Sequence, residues 1–302
     1  MDKIKKELFM DRIKKEKMDK NIETSLMLIF KEKRVAKNQK TYYFLKLRDK
    51  TGIVNARIFN PEEGETKVDF NLLSLGDFYN VIGFFNDYGL KINKIKKLKI
   101  SEIKQEDYVS EKKIDPEVLL KKIIEKIDGI NNSFYKKLLK LFFDDPIFVE
   151  SFKNCPSASI HHHNYIGGNL EHTLSVLNIA EGISNFYELD NDLLISGAIL
   201  HDIGKIHTYD YDINTNIISE NEKGKLIGHI IYSYQMINEK INQIKDFPEE
   251  LAIKLKHLIL SHHGKIEWGS SVEPSTPEAF VLHFADLSDS QVKKMIQIQE
   301  NK

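Results

Sequence analysis

Five helical segments of this chain each set a histidine or an aspartate on their apolar stripe. In NLEHTLSVLNIAEGI, His172 shares a helical face with Val176, Ile179 and Ile183. In DLLISGAILHDIGK, His201 follows Leu194 and Ala198, with Asp202 beside it. His229 faces with Tyr232, Ser233 and Met236 in KLIGHIIYSYQMI. His262, with His263 next to it, follows Leu255, Leu258 and Ile259 in ELAIKLKHLILSHHGK. Asp286 follows Ala279 and Leu282 in PEAFVLHFADLSDS. A polar group turned into a core costs roughly 1–3 kcal/mol unless it finds a partner. One such histidine is ordinarily a core residue satisfied locally. Five helices doing the same thing must satisfy one another, and imidazoles with carboxylates do so around a shared divalent cation.

The donor set contains nitrogen and oxygen but no cysteine. It points to Mn²⁺, Fe²⁺, Co²⁺, Zn²⁺ or a similar ion such as Mg²⁺, and away from a structural zinc finger. The adjacent His201-Asp202 pair lets one carboxylate bridge two ions. Two ions roughly 3.5–4 Å apart suit phosphoryl hydrolysis, where they activate water and steady the developing charge. Asp202 and Lys205 are therefore the candidate catalytic residues. Lys205, just past Gly204, could reach a phosphate beside the metals, although cations are also favoured near helix ends for their own sake. His207, His257 and His283 lack the register. Asp289 lies one turn beyond Asp286 and could substitute for it. The string HHHN makes His163 and Asn164 candidate substrate-binding residues; it would also suit a surface loop.

The remaining chain reads differently. All eleven histidines lie at or beyond position 161. Residues 1–110 carry 24 Lys+Arg against 17 Asp+Glu, while residues 111–302 carry 20 against 28. A net charge of −1 thus hides a basic half and an acidic half, and a basic half suits an anionic partner. TYYFLKLRDKTGIVNARIF holds two alternating runs around a DKTG turn. Tyr43, Leu45 and Leu47 share one face of the first run; Tyr42, Phe44, Lys46 and Arg48 share the other. In the second, Val54, Ala56 and Ile58 look inward, and Asn55, Arg57 and Phe59 outward. FYNVIGFF and LKINKIKKL follow around NDYG. Short antiparallel strands with a loop excursion suit a five-stranded barrel of the OB type. Its outward Tyr42, Phe44, Lys46, Arg48, Arg57 and Phe59 pair rings with cations, as binding of single-stranded RNA or DNA requires, though exposed strands favour such residues anyway.

The expected organisation is a multidomain α and β chain. Residues 1–20 form a charged arm or helix, 21–100 the OB-type barrel and 101–115 a polar linker. Residues 116–302 form an all-α helical domain, which opens on PEVLLKKIIEKIDG with Pro in its first turn. A single cysteine, Cys155, excludes an intramolecular disulfide and fits a reducing compartment. The charged N-terminus has no secretory core, and no apolar run approaches membrane-spanning length, so a cytoplasmic, non-membrane location is expected. Nothing in the sequence excludes a homo-oligomer.

The order His…His-Asp…His…His-His…Asp on helices resembles the HD-domain phosphohydrolases. The strings HHNYIGGNLEHTLSV, ILHDIGK, GKLIGHI, LKHLILSHHGKIEWGS and LHFAD resemble, more narrowly, the YhaM-type 3′-to-5′ exoribonucleases, over nearly the whole chain. That resemblance implies an N-terminal OB domain and a C-terminal HD domain. It implies one metal held by His172, His201, Asp202 and Asp286, with Asp202 bridging to a second held by His229, His262 and His263. It also implies hydrolysis of single-stranded RNA, and of DNA as a second substrate, to nucleoside monophosphates with Mn²⁺. The family pattern runs on beyond the last ligand helix, whereas this sequence ends at Lys302. Two other readings stay open. One is an HD-type nucleotidase or cyclic-nucleotide phosphodiesterase with a regulatory OB domain; the other is a nucleic-acid-binding protein with an inactive HD site.

Overall fold

A computed structural model describes residues 20–61, 67–104, 107–108, 115–157, 165–212 and 217–300. They fall into two compact units, one of the described residues up to Tyr108 together with Asp212 and Ile217, the other of those in 115–211 and 218–300. The expected charged arm lies outside the described residues except for Lys20, as do His163 and Asn164.

The first unit is a closed five-stranded barrel in the order β1-β2-β3-β5-β4. β1 (Lys20–Val35) pairs antiparallel with both β2 (Thr41–Asp49) and β4 (Phe78–Asn86). β3 (Gly52–Phe59) pairs with β2, and β5 (Gly89–Lys97) with β4. A short parallel contact, Ala56 with Leu90 and Arg57 with Lys91, closes the circle. Closure removes the exposed edges that a five-stranded open sheet would carry. The interior is filled by alternate residues, among them Leu45, Leu47, Val54, Ala56, Ile58 and Leu90. Of the expected linker, residues 101–104 and 107–108 belong with this unit, where Tyr108 packs edge-on against Phe78, ring centroids 4.8 Å apart, in a small cluster with Met27, while Asp115 belongs with the second unit.

Two of the six outward residues are buried. Phe44 lies against Phe30 of β1 and under the guanidinium of Arg34, 4.0 Å from its ring centroid. Arg48 is only 9% exposed, and burial pushes its guanidinium down to about 10. Simple alternation along β2 could not show the cover of Phe44, which comes from Arg34 and Phe30 on the neighbouring β1. Tyr42, Lys46 and Arg57 are half-buried, and Phe59 is exposed and stacked on Tyr42 at 5.5 Å.

The second unit packs helices around one core. In chain order they are α1 (Pro116–Gly129), α2 (Ser133–Phe143), α3 (Pro146–Asn154), α4 (Gly168–Ser184), α5 (Asn191–Leu200), α6 (Lys205–Thr208), α7 (Glu222–Leu226), α8 (His229–Ile241), α9 (Glu249–Ser261) and α10 (Pro277–Glu300). Asp115, Asn132, Asp145 and Asp190 cap the N-termini of α1, α2, α3 and α5 by accepting from free backbone N–H groups. One small departure from an all-α domain is a two-stranded sheet, β6 (Tyr209–Asp212) with β7 (Ile217–Glu220). Among the described residues, no helix is long and apolar enough to cross a membrane.

Candidate metal centre

His172 and Asp286 project from within α4 and α10, but three other candidate ligands stand at helix ends. His201 and His262 each follow the last residue of their helix, and His229 opens α8. The two C-terminal positions use one device. The Nδ1 of His201 donates to the Ala198 carbonyl at 2.8 Å, and that of His262 to Ile259 at 2.7 Å. The last carbonyls of a helix lack intrahelical partners. Each ring satisfies one of them, which fixes its tautomer and leaves Nε2 as the free acceptor. His263 does the same with the Trp268 carbonyl, at 2.9 Å.

The seven candidates converge. One ligand atom from each of His172, His201 and Asp286 lies within 4.8 Å of the others, and the same holds for His229, His262 and His263. Asp202, 2% exposed, stands between the two trios. Its Oδ2 is 3.4 Å from His172 Nε2 and 3.3 Å from His201 Nε2. Its Oδ1 is 3.2 Å from His229 Nε2 and 3.7 Å from His262 Nε2. Gly204 lets α8 approach: a Cβ there would meet the His229 carbonyl oxygen at 2.2 Å, and its N–H donates to Ser233 Oγ at 2.8 Å.

Three atoms of this cluster, Asp202 Oδ1, His229 Nε2 and His262 Nε2, are buried and make no hydrogen bond. Buried polar atoms are rarely left so, and here three of them face one point. Two are lone-pair imidazole nitrogens and one is a carboxylate oxygen, the donor chemistry a divalent cation takes. The residues present therefore fit a metal.

The protonation pattern agrees. Burial pushes His229 down to about 3 and, with the neighbouring His263 and His201, holds His262 well below the usual imidazole range. Both are neutral and ready to ligate. Burial opposes ionisation of Asp202 as well, but Lys205 and His201 hold it well below the ordinary carboxylate range. Burial would also neutralise His172, yet Asp202, Asp286 and Asp289 together raise it well above its usual value. Its Nε2 lies 3.2 Å from Nε2 of His201.

A cavity of about 470 Å³ opens on the cluster, lined by Ser157, Asp202, Lys205, Tyr209, Trp268 and Asp286 among others. Lys205 is buried with its ammonium 2.6 Å from Asp202 Oδ2 and 3.3 Å from Ser157 Oγ.

Residues 169–290 match the family model described as HD domain. Among curated proteins, the 3′-5′ exoribonuclease YhaM of Geobacillus sp. (strain WCH70) is 30% identical over 276 residues, which cover 90% of this chain and 82% of that protein. The chain belongs to the YhaM 3′-5′ exoribonuclease family. It is by that membership a hydrolase of the nuclease class with an N-terminal OB-like barrel and a C-terminal HD domain, and HD domains bind divalent metals.

Two residues of this YhaM-family site have roles the sequence did not show. Asp289 does not replace Asp286; it sits behind His172, accepting from its Nδ1 at 2.7 Å and from the Ser175 hydroxyl. His283 lines the cavity and donates from Nδ1 to the His262 carbonyl at 2.9 Å. Both stand three residues from Asp286 on α10, a helical spacing that places them on its side of the helix. His257 is engaged elsewhere, accepting from the Ser275 N–H at 3.0 Å. His207 packs near Tyr232, ring centroids 5.7 Å apart.

Proposed function

We propose that the protein hydrolyses single-stranded RNA, with single-stranded DNA as a secondary substrate, from the 3′ end to nucleoside monophosphates at a centre for two divalent cations, Mn²⁺ foremost. The carrying observation is the division of Asp202, one oxygen toward each trio of candidate ligands. His172, His201 and Asp286 would hold one ion, His229, His262 and His263 the other, and Asp202 would bridge them. Bound there, two such ions supply an activated water and neutralise charge on the phosphate.

The chain's own groups do the rest. Asp289 orients His172, and the Trp268, Ala198 and Ile259 carbonyls orient His263, His201 and His262. Lys205 stays charged, because Asp202 outweighs the effect of burial, and offers its ammonium to a phosphoryl oxygen at the cavity wall. The barrel face of Tyr42, Lys46, Arg57 and Phe59 holds the strand by stacking and charge. His163 and Asn164, which lie outside the described residues, are candidate substrate-binding residues in this reading.

Substrate profiling tests it. Incubation of 5′-labelled single-stranded RNA with the protein and Mn²⁺ should give a ladder shortening from the 3′ end. Intact RNA beside rapid hydrolysis of free nucleotides or cyclic nucleotides would replace the exonuclease with a nucleotidase or phosphodiesterase.

A further inference from the structure

Trp268, the only tryptophan of the chain, is 48% exposed and lines the cavity in front of the candidate ligands. An indole is among the largest apolar payloads a protein carries, and it is normally covered. Here it is held open by a stiff turn. The Trp268 N–H donates to Lys265 at 3.0 Å, that of Gly269 to Ile266 at 2.9 Å and that of Ser271 to Leu260 at 2.9 Å. Gly264, at φ +84°, begins this turn; a Cβ there would lie 2.2 Å from the His283 ring, so no other residue fits. The His263 bond to the Trp268 carbonyl ties the backbone that carries the indole to a candidate ligand. Lys265 places its ammonium 4.8 Å from the indole centroid and the His283 ring lies 6.1 Å away at a tilt, yet about half of the indole remains exposed at the cavity wall.

We propose that Trp268 is the platform on which the 3′-terminal nucleobase of the strand stacks. The proposal rests on the nuclease reading above and adds the residue that grips the nucleotide about to be released. Every base has a π-face, so an aromatic platform accepts any of them, as stepwise removal of nucleotides requires. Lys265 adds positive potential beside a ligand that carries phosphate.

The single tryptophan makes the test direct, since its fluorescence reports on no other site. The full chain with Mg²⁺ is titrated with AMP and, separately, with ribose 5-phosphate. AMP should quench the emission saturably and ribose 5-phosphate should not. On single-stranded RNA, Trp268→Ala should raise KM roughly tenfold or more with kcat much less affected, and Trp268→Phe should recover most of the loss. Emission unmoved by AMP, equal quenching by both ligands, or a wild-type KM in Trp268→Ala overturns the platform. Should Trp268→Ala unfold, the titration and the phenylalanine variant still decide. A wild-type protein that leaves RNA intact while AMP quenches it would remove the nuclease reading and leave the platform standing.

Discussion

The Nδ1 of His172 donates to Oδ2 of Asp289 across 2.7 Å, one turn of α10 beyond the candidate ligand Asp286. Partners of this kind hold a ligand ring in one orientation, and their loss typically costs about 10- to 100-fold in metal affinity. Asp289→Ala should weaken Mn²⁺ binding by that factor in a calorimetric titration. Asp289→Asn, whose amide oxygen can still accept from Nδ1, should lose less. Equal, near-zero effects in both variants would remove Asp289 from the centre.

His172 also makes metal binding pH-dependent. Burial opposes its charge, but Asp202, Asp286 and Asp289 raise it well above the usual imidazole value, which favours the protonated ring in the metal-free chain. A cation must displace that proton. Mn²⁺ affinity should therefore fall as pH drops through the raised value, and loading should release protons, seen as a buffer-dependent heat. For the metal-free fold the sign reverses. The stability contributed by charged His172 is fully present below the unfolded imidazole value and is lost as pH rises through the folded one. A metal affinity flat across the neutral range, with no proton release, would contradict the assignment.

Lys205 separates phosphate binding from metal binding. Lys205→Met keeps much of the buried stem and removes the charge. Activity on RNA should fall about 100-fold, the scale for losing one charge-stabilising donor. Mn²⁺ affinity should not fall, because a neighbouring cation repels a metal. Loss of both together would mean that Lys205 only supports the fold around Asp202.

Much of this centre was readable from helical periodicity, because a polar side chain on an apolar stripe is a conflict that only a shared partner resolves. Periodicity was silent on why His201 and His262 stand where they do. Their rings close a helix end by capping a carbonyl, which is local hydrogen bonding rather than a repeat. Asp289 was weighed only as a substitute ligand and His283 was left out for lacking the register, whereas their bonds serve other ligands. The barrel's alternation separated its inside from its outside. It could not show that Phe44 and Arg48, on the outer side, are buried; the cover of Phe44 comes from Arg34 on a neighbouring strand.

That burial divides the barrel face into two experiments. In a full-length chain inactivated by Asp202→Ala, Phe59→Ala should weaken binding of a labelled single-stranded RNA by roughly 1–3 kcal/mol, the scale of one stacked base. Arg48→Ala should instead lower the unfolding midpoint and leave affinity near that of the parent. Fluorescence anisotropy and thermal unfolding on the same samples read both. The opposite pattern would mean that Arg48 reaches the strand.

The most direct measurement follows Mn²⁺ content and cleavage of 5′-labelled single-stranded RNA in one preparation, stripped with chelator and then titrated with metal. We predict no 3′ shortening in the stripped protein, activity that rises as the chain fills toward two ions, and neither full loading nor cleavage in Asp202→Ala. RNA shortened equally by the stripped protein, or by Asp202→Ala, would contradict a metal centre built on that carboxylate.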